Sequence, residues 1–395
     1  MKLLVISAGV HPVPPVNGGA VENLVDIYLK DNKENDIDVL SIYDQKIENY
    51  KYKYNNCNFH FFKKNIVFDY FILYFEKILR RFFRIYFGTP YIRKVCSYIK
   101  KEKKYYDLII VENMPQYGPK IKKVSNSKLV LHLHNDYLNV DSFKNIENYL
   151  AFDKILCVSD FISNRVSEVG NKNDRKVFTL YNGIDLNKFS KQAKNSEDIL
   201  KKYKIQKNKF NIVYSGRVCP EKGVENLIDA FNMINNAEMQ LIILGGYNYG
   251  TSKDNEFITS LKNKSKEKNI VFTGYVNYDD IDSLYAIADL GIIPSIINEA
   301  CPLTAIEMMA SGIPVICTNS GGLPELINDK CGVIVDRNNL TENLNQAIRK
   351  VYNNKNLLDI YAKNAKLRSK KFTKEKYVAD FWKYLDEFNK ELEKI

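Results

Sequence analysis

The stretch NEACPLTAIE, residues 298–307, carries two carboxylates, Glu299 and Glu307, with seven residues between them. Two such acids can act as an acid–base couple, or each can hold a hydroxyl group of a ligand. The plain alternatives are a loop carboxylate for Glu299 and a first-turn glutamate facing the helix dipole for Glu307. A second set lies in YSGRVCPEKG, where Arg217 and Lys222 would place a guanidinium and an ammonium within reach of a diphosphate. Paired cations in a loop are also commonly just solvated. Two glycine pairs, Gly18–Gly19 and Gly321–Gly322, could present backbone amides to an anion without side-chain obstruction. His132 and His134, in LHLHND, fall on one face of a strand, and a histidine ending a strand is often a hydrogen-bonded core group.

The elements that must position these residues alternate in type. KLLVISA, DIDVLSIYD, YDLIIVEN, SKLVLHLHN and DKILCVSD read as buried strands separated by helical stretches, and VFTLYNGIDLNKF closes the series. After a polar, Lys-rich connector at 187–208 the pattern restarts with FNIVYSGRV, MQLIILGG, NIVFTGYV, LGIIPS, IPVICT and CGVIVD. Alternation of this kind predicts two parallel, doubly wound α/β sheets. The expected domains are 1–185 and 186–374, with a helix at about 375–395 packing back on the first. In such sheets ligands bind beyond the carboxyl ends of the strands, where all the candidate residues fall. Gly9, Gly18 and Gly19 lack the spacing of the dinucleotide fingerprint, which disfavours a nicotinamide dehydrogenase.

The order SGRVCPEKG, LGG, FTGYV, PSIINEACPLTAIEMMASGIPVICTNSGGLPEL resembles the nucleotide-sugar half of bacterial glycosyltransferase family 4, and LYNGIDLNKF and PVPPVNGGAVE resemble its inter-domain segment and N-terminal glycine loop. The resemblance spans nearly the whole chain, is strongest over 210–335, and has the flavour of cell-surface polysaccharide and spore-coat enzymes. It implies the GT-B fold, two Rossmann-like domains facing a central cleft, and retaining hexosyl transfer from a nucleotide sugar, UDP being favoured, to a glycan or lipid-linked acceptor. Residue by residue it implies that Arg217 and Lys222 hold the donor diphosphate, Glu299 the donor sugar and Glu307 the ribose. The amides of Cys301, Leu303 and Thr304 would approach phosphate and sugar. The main chain at Tyr275 and Val276 would meet the base, Gly18 and Gly19 would close over the diphosphate, and His134 would lie near the sugar. Ala300-Cys301-Pro302 departs from the family's glycine-containing loop, and Pro302 has no amide to donate. Attack is expected from the face of the departing phosphate, so Glu299 orients the sugar and is not a covalent nucleophile. A sugar-nucleotide epimerase and a non-catalytic sugar-nucleotide-binding protein are the rival readings.

The bulk numbers bound the rest. With 395 residues, 45% hydrophobic and 27% charged, the chain affords two cored domains. Seven scattered cysteines without a C-x-x-C pair argue for a reducing compartment and against a zinc site. No essential metal or cofactor is expected, and no three-ligand His/Asp/Glu set stands out. The start reads as a strand, not a leader, and no apolar run is long enough to span a bilayer. The net charge of +11 is concentrated: residues 63–104 hold twelve Lys and Arg against three acids. Within them Lys77, Arg80, Arg81 and Arg84 form one stripe of an aromatic-rich helix. That pattern predicts peripheral contact with an anionic membrane at the inner face of the cell membrane, on an otherwise cytoplasmic protein, and no nucleic-acid partner.

Overall fold

Runs of Val, Ile and Leu too short for helices, each bounded by polar turns, build two sheets in which every strand pair is parallel. The computed structural model describes residues 1–50, 53–83, 85–170, 174–189, 196–247, 254–265 and 269–392. It divides into two compact units, Met1–Tyr181 with Val378–Ile395, and Asn182–Tyr377.

The first unit holds β1 (Lys2–Ile6), β2 (Asp36–Ile42), β3 (Cys57–Phe62), β4 (Leu108–Glu112), β5 (Lys128–Leu133), β6 (Lys154–Cys157) and β7 (Val177–Thr179). Their order is β3-β2-β1-β4-β5-β6-β7. Strand order reverses between β1 and β4, so their carboxyl ends open the crevice in which such sheets take ligands. Helices α1 (Ala20–Asp31), α2 (Ile66–Phe83) and α3 (Pro90–Glu102) follow β1 and β3. The strand β3 lies outside the sequence expectation. CNFHFF is a half-buried edge strand with one neighbour, and it needs no Val/Ile run.

The second unit holds β8 (Phe210–Ser215), β9 (Met239–Leu244), β10 (Ile270–Gly274), β11 (Leu290–Ile293), β12 (Val315–Thr318) and β13 (Gly332–Val335), ordered β10-β9-β8-β11-β12-β13. Here the reversal falls between β8 and β11. Ile212, Leu241, Ile243 and Ile292 of the sheet pack with Leu227, Ile228, Leu344 and Ile348, which come from the helices Val224–Ile234 and Leu340–Tyr352. The Lys-rich connector contains the helix Ser196–Tyr203; its residues 190–195 lie outside the described residues.

The final helix, Lys374–Leu392, begins in the second unit and from Val378 belongs to the first. Phe381 stacks on Tyr28 of α1 with ring centroids 4.1 Å apart, and Phe388 packs against Phe178 of β7. Lys154 of β6 reaches Glu391 at 2.5 Å.

Candidate active site

In the second unit the loops after β8, β11 and β12, neighbouring strands, carry the predicted cations, carboxylates and glycines. Lys222 Nζ donates to Glu299 Oε1 at 2.5 Å, with both side chains largely withdrawn from solvent. The Ser295 hydroxyl donates to the same carboxylate oxygen. The supporting backbone is stitched across the three loops. The amide of Ile296 donates to Glu221 O at 3.0 Å, and that of Gly322 donates to Glu299 O at 2.7 Å. Ser295 O accepts from Thr318 Oγ1 and Ser320 Oγ. Gly321 has φ +57°, and a Cβ there would sit 2.1 Å from Glu299 O, so only glycine lets the β12 loop close on Glu299.

The other predicted donors spread around this pair. Arg217, at the end of β8, is more exposed and its guanidinium lies 3.8 Å from Glu221. The helix Leu303–Ala310 starts directly after the Glu299 loop, with Pro302 as its N-cap and no side-chain cap. Its first amides, Leu303 and Thr304, therefore have no intrahelical acceptor, and the helix dipole adds to their pull on an anion. The missing amide of Pro302 falls at the cap position, one residue before these donors. Cys301 is buried with its carbonyl accepting from Asn182 Nδ2 at 2.9 Å. Burial pushes its thiol up to about 12, so it stays protonated. Tyr275 and Val276 follow β10, whose Gly274 carbonyl accepts from the Gly245 amide at 3.0 Å. Asn298, without a role in the sequence reading, accepts from Arg337 Nη1 at 3.1 Å; that arginine went unnoticed because it comes from the loop after β13.

Glu307 is not the first-turn glutamate of the plain reading. It is the fifth residue of its helix, 3% exposed, and accepts from the Tyr285 hydroxyl at 3.3 Å. Burial raises its carboxyl to about 7, against the lowering effect of the Tyr278 and Tyr285 hydroxyls. It makes no pair with Glu299.

In the first unit, Gly18 and Gly19 end the β1 loop, and Gly19 is the N-cap of α1. Glu22, one turn in, is buried beneath Gly19. Burial raises its carboxyl to about 7; amides of its own residue and His11 oppose that, and the Glu112 charge adds to it. At the ends of the neighbouring strands β4 and β5, a buried carboxylate gathers both histidines. Glu112 Oε2 lies 2.8 Å from His134 Nε2 and 3.1 Å from His132 Nδ1, and Glu112 Oε1 accepts from the Tyr28 hydroxyl at 2.8 Å. Burial alone would raise Glu112, but the two histidines outweigh it and bring the carboxyl down to about 2. Burial, then the neighbouring His132, pulls His134 down to about 4, so it is neutral at ordinary pH. Its Nδ1 is buried and without a hydrogen-bond partner.

Glu112 is the main residue that sequence reasoning missed. Its donor atom and those of His132 and His134 lie within 4.8 Å of one another, a three-donor set that could hold a metal ion. The sequence separates it from the histidines by twenty residues, and only the β4–β5 pairing of Glu112 with His132 reveals it. The spacings within the set are ordinary hydrogen-bond lengths.

Residues 195–368 match the family model of the glycosyl transferases group 1. The chain is 27% identical over 381 residues to YtcC of Bacillus subtilis (strain 168), provisionally named a glycosyltransferase, covering 93% of this chain and 87% of that protein. It is 24% identical to the lipopolysaccharide 1,2-N-acetylglucosaminetransferase of Salmonella typhimurium, covering 70% of this chain and 69% of that one. Among solved structures, the Anabaena protein Alr3699/HepE, determined with UDP and glucose, superposes with a TM-score of 0.73 at 20% identity over 98% of this chain and 99% of that one. The parallel-sheet units, the domain match and these likenesses agree: the chain has the fold of GT-B glycosyltransferases, and its residues 195–368 match the glycosyl transferases of group 1.

Proposed function

We propose that the protein is a retaining glycosyltransferase that moves a hexosyl group from a UDP-sugar to a glycan or lipid-linked acceptor of the cell surface. The second unit takes the donor and the first takes the acceptor. The observation that carries this reading is the Lys222–Glu299 pair beside the open amides of Leu303 and Thr304, at the reversal point between β8 and β11. The HepE structure with UDP and glucose supports the choice of donor, and the lipopolysaccharide transferase supports a surface-glycan acceptor.

The chemistry asks little of covalent catalysis. As the bond from the anomeric carbon to the β-phosphate breaks, charge grows on the phosphate. Lys222, Arg217 and the helix amides stabilise that charge in place. Glu299 holds Lys222 in position, and its other carboxylate oxygen accepts from a sugar hydroxyl. Glu307 accepts from the ribose, and the main chain at Tyr275 and Val276 meets the base. The departing phosphate takes the acceptor proton on the same face, which preserves the anomeric configuration. No metal or cofactor takes part in this scheme, and the reading seats the protein in the cytoplasm.

The test is turnover of UDP-sugars by the purified protein, with the product anomer read by NMR. Transfer with inversion would sink the retaining mechanism. Epimerised donor without transfer would point to an epimerase. Binding without turnover would leave a sugar-nucleotide-binding protein.

A further inference from the structure

Helix α2 is divided into three sectors. At about 100° per residue, Ile72, Glu76 and Leu79 fall together on one side, with Asp69 at its edge. Ile72 and Glu76 are buried, and Glu76 accepts from the amides of Phe87 and Gly88 at 2.6 and 3.1 Å. Asp69 accepts from the Asn65 amide at 3.0 Å and faces Lys94 of α3. Both acids of the helix are therefore committed to the protein. Next around the circumference come Lys77, Arg80 and Arg81, all exposed. The remaining sector carries Phe68, Phe71, Tyr74, Phe75 and Phe82, each exposed, Phe71 by 66% and Phe82 by 71%. The basic stripe expected from the sequence is present up to Arg81; Arg84 lies outside the described residues. The structure adds which of the helix's apolar side chains face outward.

Nine of the 24 exposed large apolar side chains among the described residues sit on this one helix. A soluble surface does not hold such a patch without a partner. The Arg80 guanidinium lies 5.1 Å over the Phe143 ring.

We propose that α2 lies in the plane of an anionic lipid bilayer, its aromatic sector at the level of the upper acyl chains and Lys77, Arg80 and Arg81 against the headgroups. The helix, about 27 Å long, has an aromatic face for the acyl boundary and a cationic face for phosphate, with no acid on either. A second copy of the chain fits this face poorly. A two-fold contact would bring like basic sectors together, and residues 63–104 hold twelve Lys and Arg against three acids. The inference stands on α2 alone and does not depend on the donor reading.

The test is flotation of the full-length protein with vesicles of phosphatidylcholine, with or without about a third of phosphatidylglycerol. The protein binds the anionic vesicles, binding falls steeply with salt, and neutral vesicles retain little. Replacing Lys77, Arg80 and Arg81 together by Ala weakens anionic binding on the order of 100-fold. Replacing Phe68, Phe71, Phe75 and Phe82 together by Ser abolishes binding while thermal unfolding, read by circular dichroism, stays close to wild type. Absence of binding to anionic vesicles at low salt overturns the proposal, as does undiminished binding by the serine variant. So does a dimer in sedimentation velocity that the serine variant converts to monomer, which would assign the face to a second copy.

Discussion

At the scale of single residues, the ion pair Lys222–Glu299 makes a sharp prediction. Its partners are 77 positions apart in sequence yet 2.5 Å apart in space. Glu299→Gln keeps the shape and removes the charge that orients Lys222, so transfer falls roughly 100-fold or more while the unfolding temperature moves little. Turnover close to wild type in a folded Glu299→Gln enzyme would remove the role assigned to that carboxylate. Glu307 makes a different prediction, through pH. Its folded pKa, about 7, is raised above the ordinary 4.5. The unfolded chain therefore releases the proton first. The stabilising contribution is complete below the unfolded value and is lost as pH rises through about 7. Its full size is roughly 3 kcal/mol. Glu307→Gln should flatten this fall in stability on the alkaline side, measured as denaturant midpoints across that range. If Glu307 accepts from ribose hydroxyls, UDP binding by the wild type tightens as pH rises through about 7, and calorimetry of Glu307→Gln shows no such change.

Loops, strands and helices carry the next level of argument. The β12 loop reaches Glu299 only because residue 321 lacks a Cβ, so Gly321→Ala forces the two loops apart at 2.1 Å from a backbone oxygen. The expected cost is roughly 1–3 kcal/mol, together with loss of donor turnover. Gly18→Ala is the contrast. Nothing lies within 4 Å of the added methyl, and only the positive φ of 74° opposes it, a cost of about 1 kcal/mol. Unfolding curves of the two variants should separate in that order. The strands were legible where they are central and fully buried, as in LIIVE and MQLIIL, since burial on both faces demands continuous apolar runs. CNFHFF was not, because an edge strand with one exposed side imposes no such run. For α2 the sequence spacing marked the basic stripe, but which apolar residues face outward depended on where α3 and the Phe87–Gly88 turn pack.

Over the whole molecule, the last helix matters most. Phe381, Trp382 and Phe388 cover Tyr28, His132 and Phe178 in the first unit, although they are among the last aromatic residues of the chain. Phe381→Ala should destabilise that unit by roughly 3–5 kcal/mol and leave unit Asn182–Tyr377 untouched. Two separated thermal transitions, with only one shifted, are the expected calorimetric trace. The loss reaches the Glu112 cluster too, because Phe381 lies 5.8 Å from the His132 ring. Acid acts on the same place. Glu112 is depressed to about 2 and His134 to about 4, so both groups take up protons more readily when unfolded. Their stabilisation is present above the unfolded values and is lost as pH falls, His134 contributing first.

What the sequence by itself determined was the alternation of two sheets and the residue types at their carboxyl edges. Strand periodicity, glycine placement and the order of motifs are local properties, and they sufficed to single out Arg217, Lys222, Glu299 and the two glycine pairs. Only the tertiary structure decided the company these residues keep. It set Lys222 on Glu299, buried Glu307 among tyrosines, and joined Glu112 to His132 and His134. The physical reason is that parallel strands bring distant segments side by side through helices, so neighbours at a sheet edge are set by strand order. No spacing along the chain records that order.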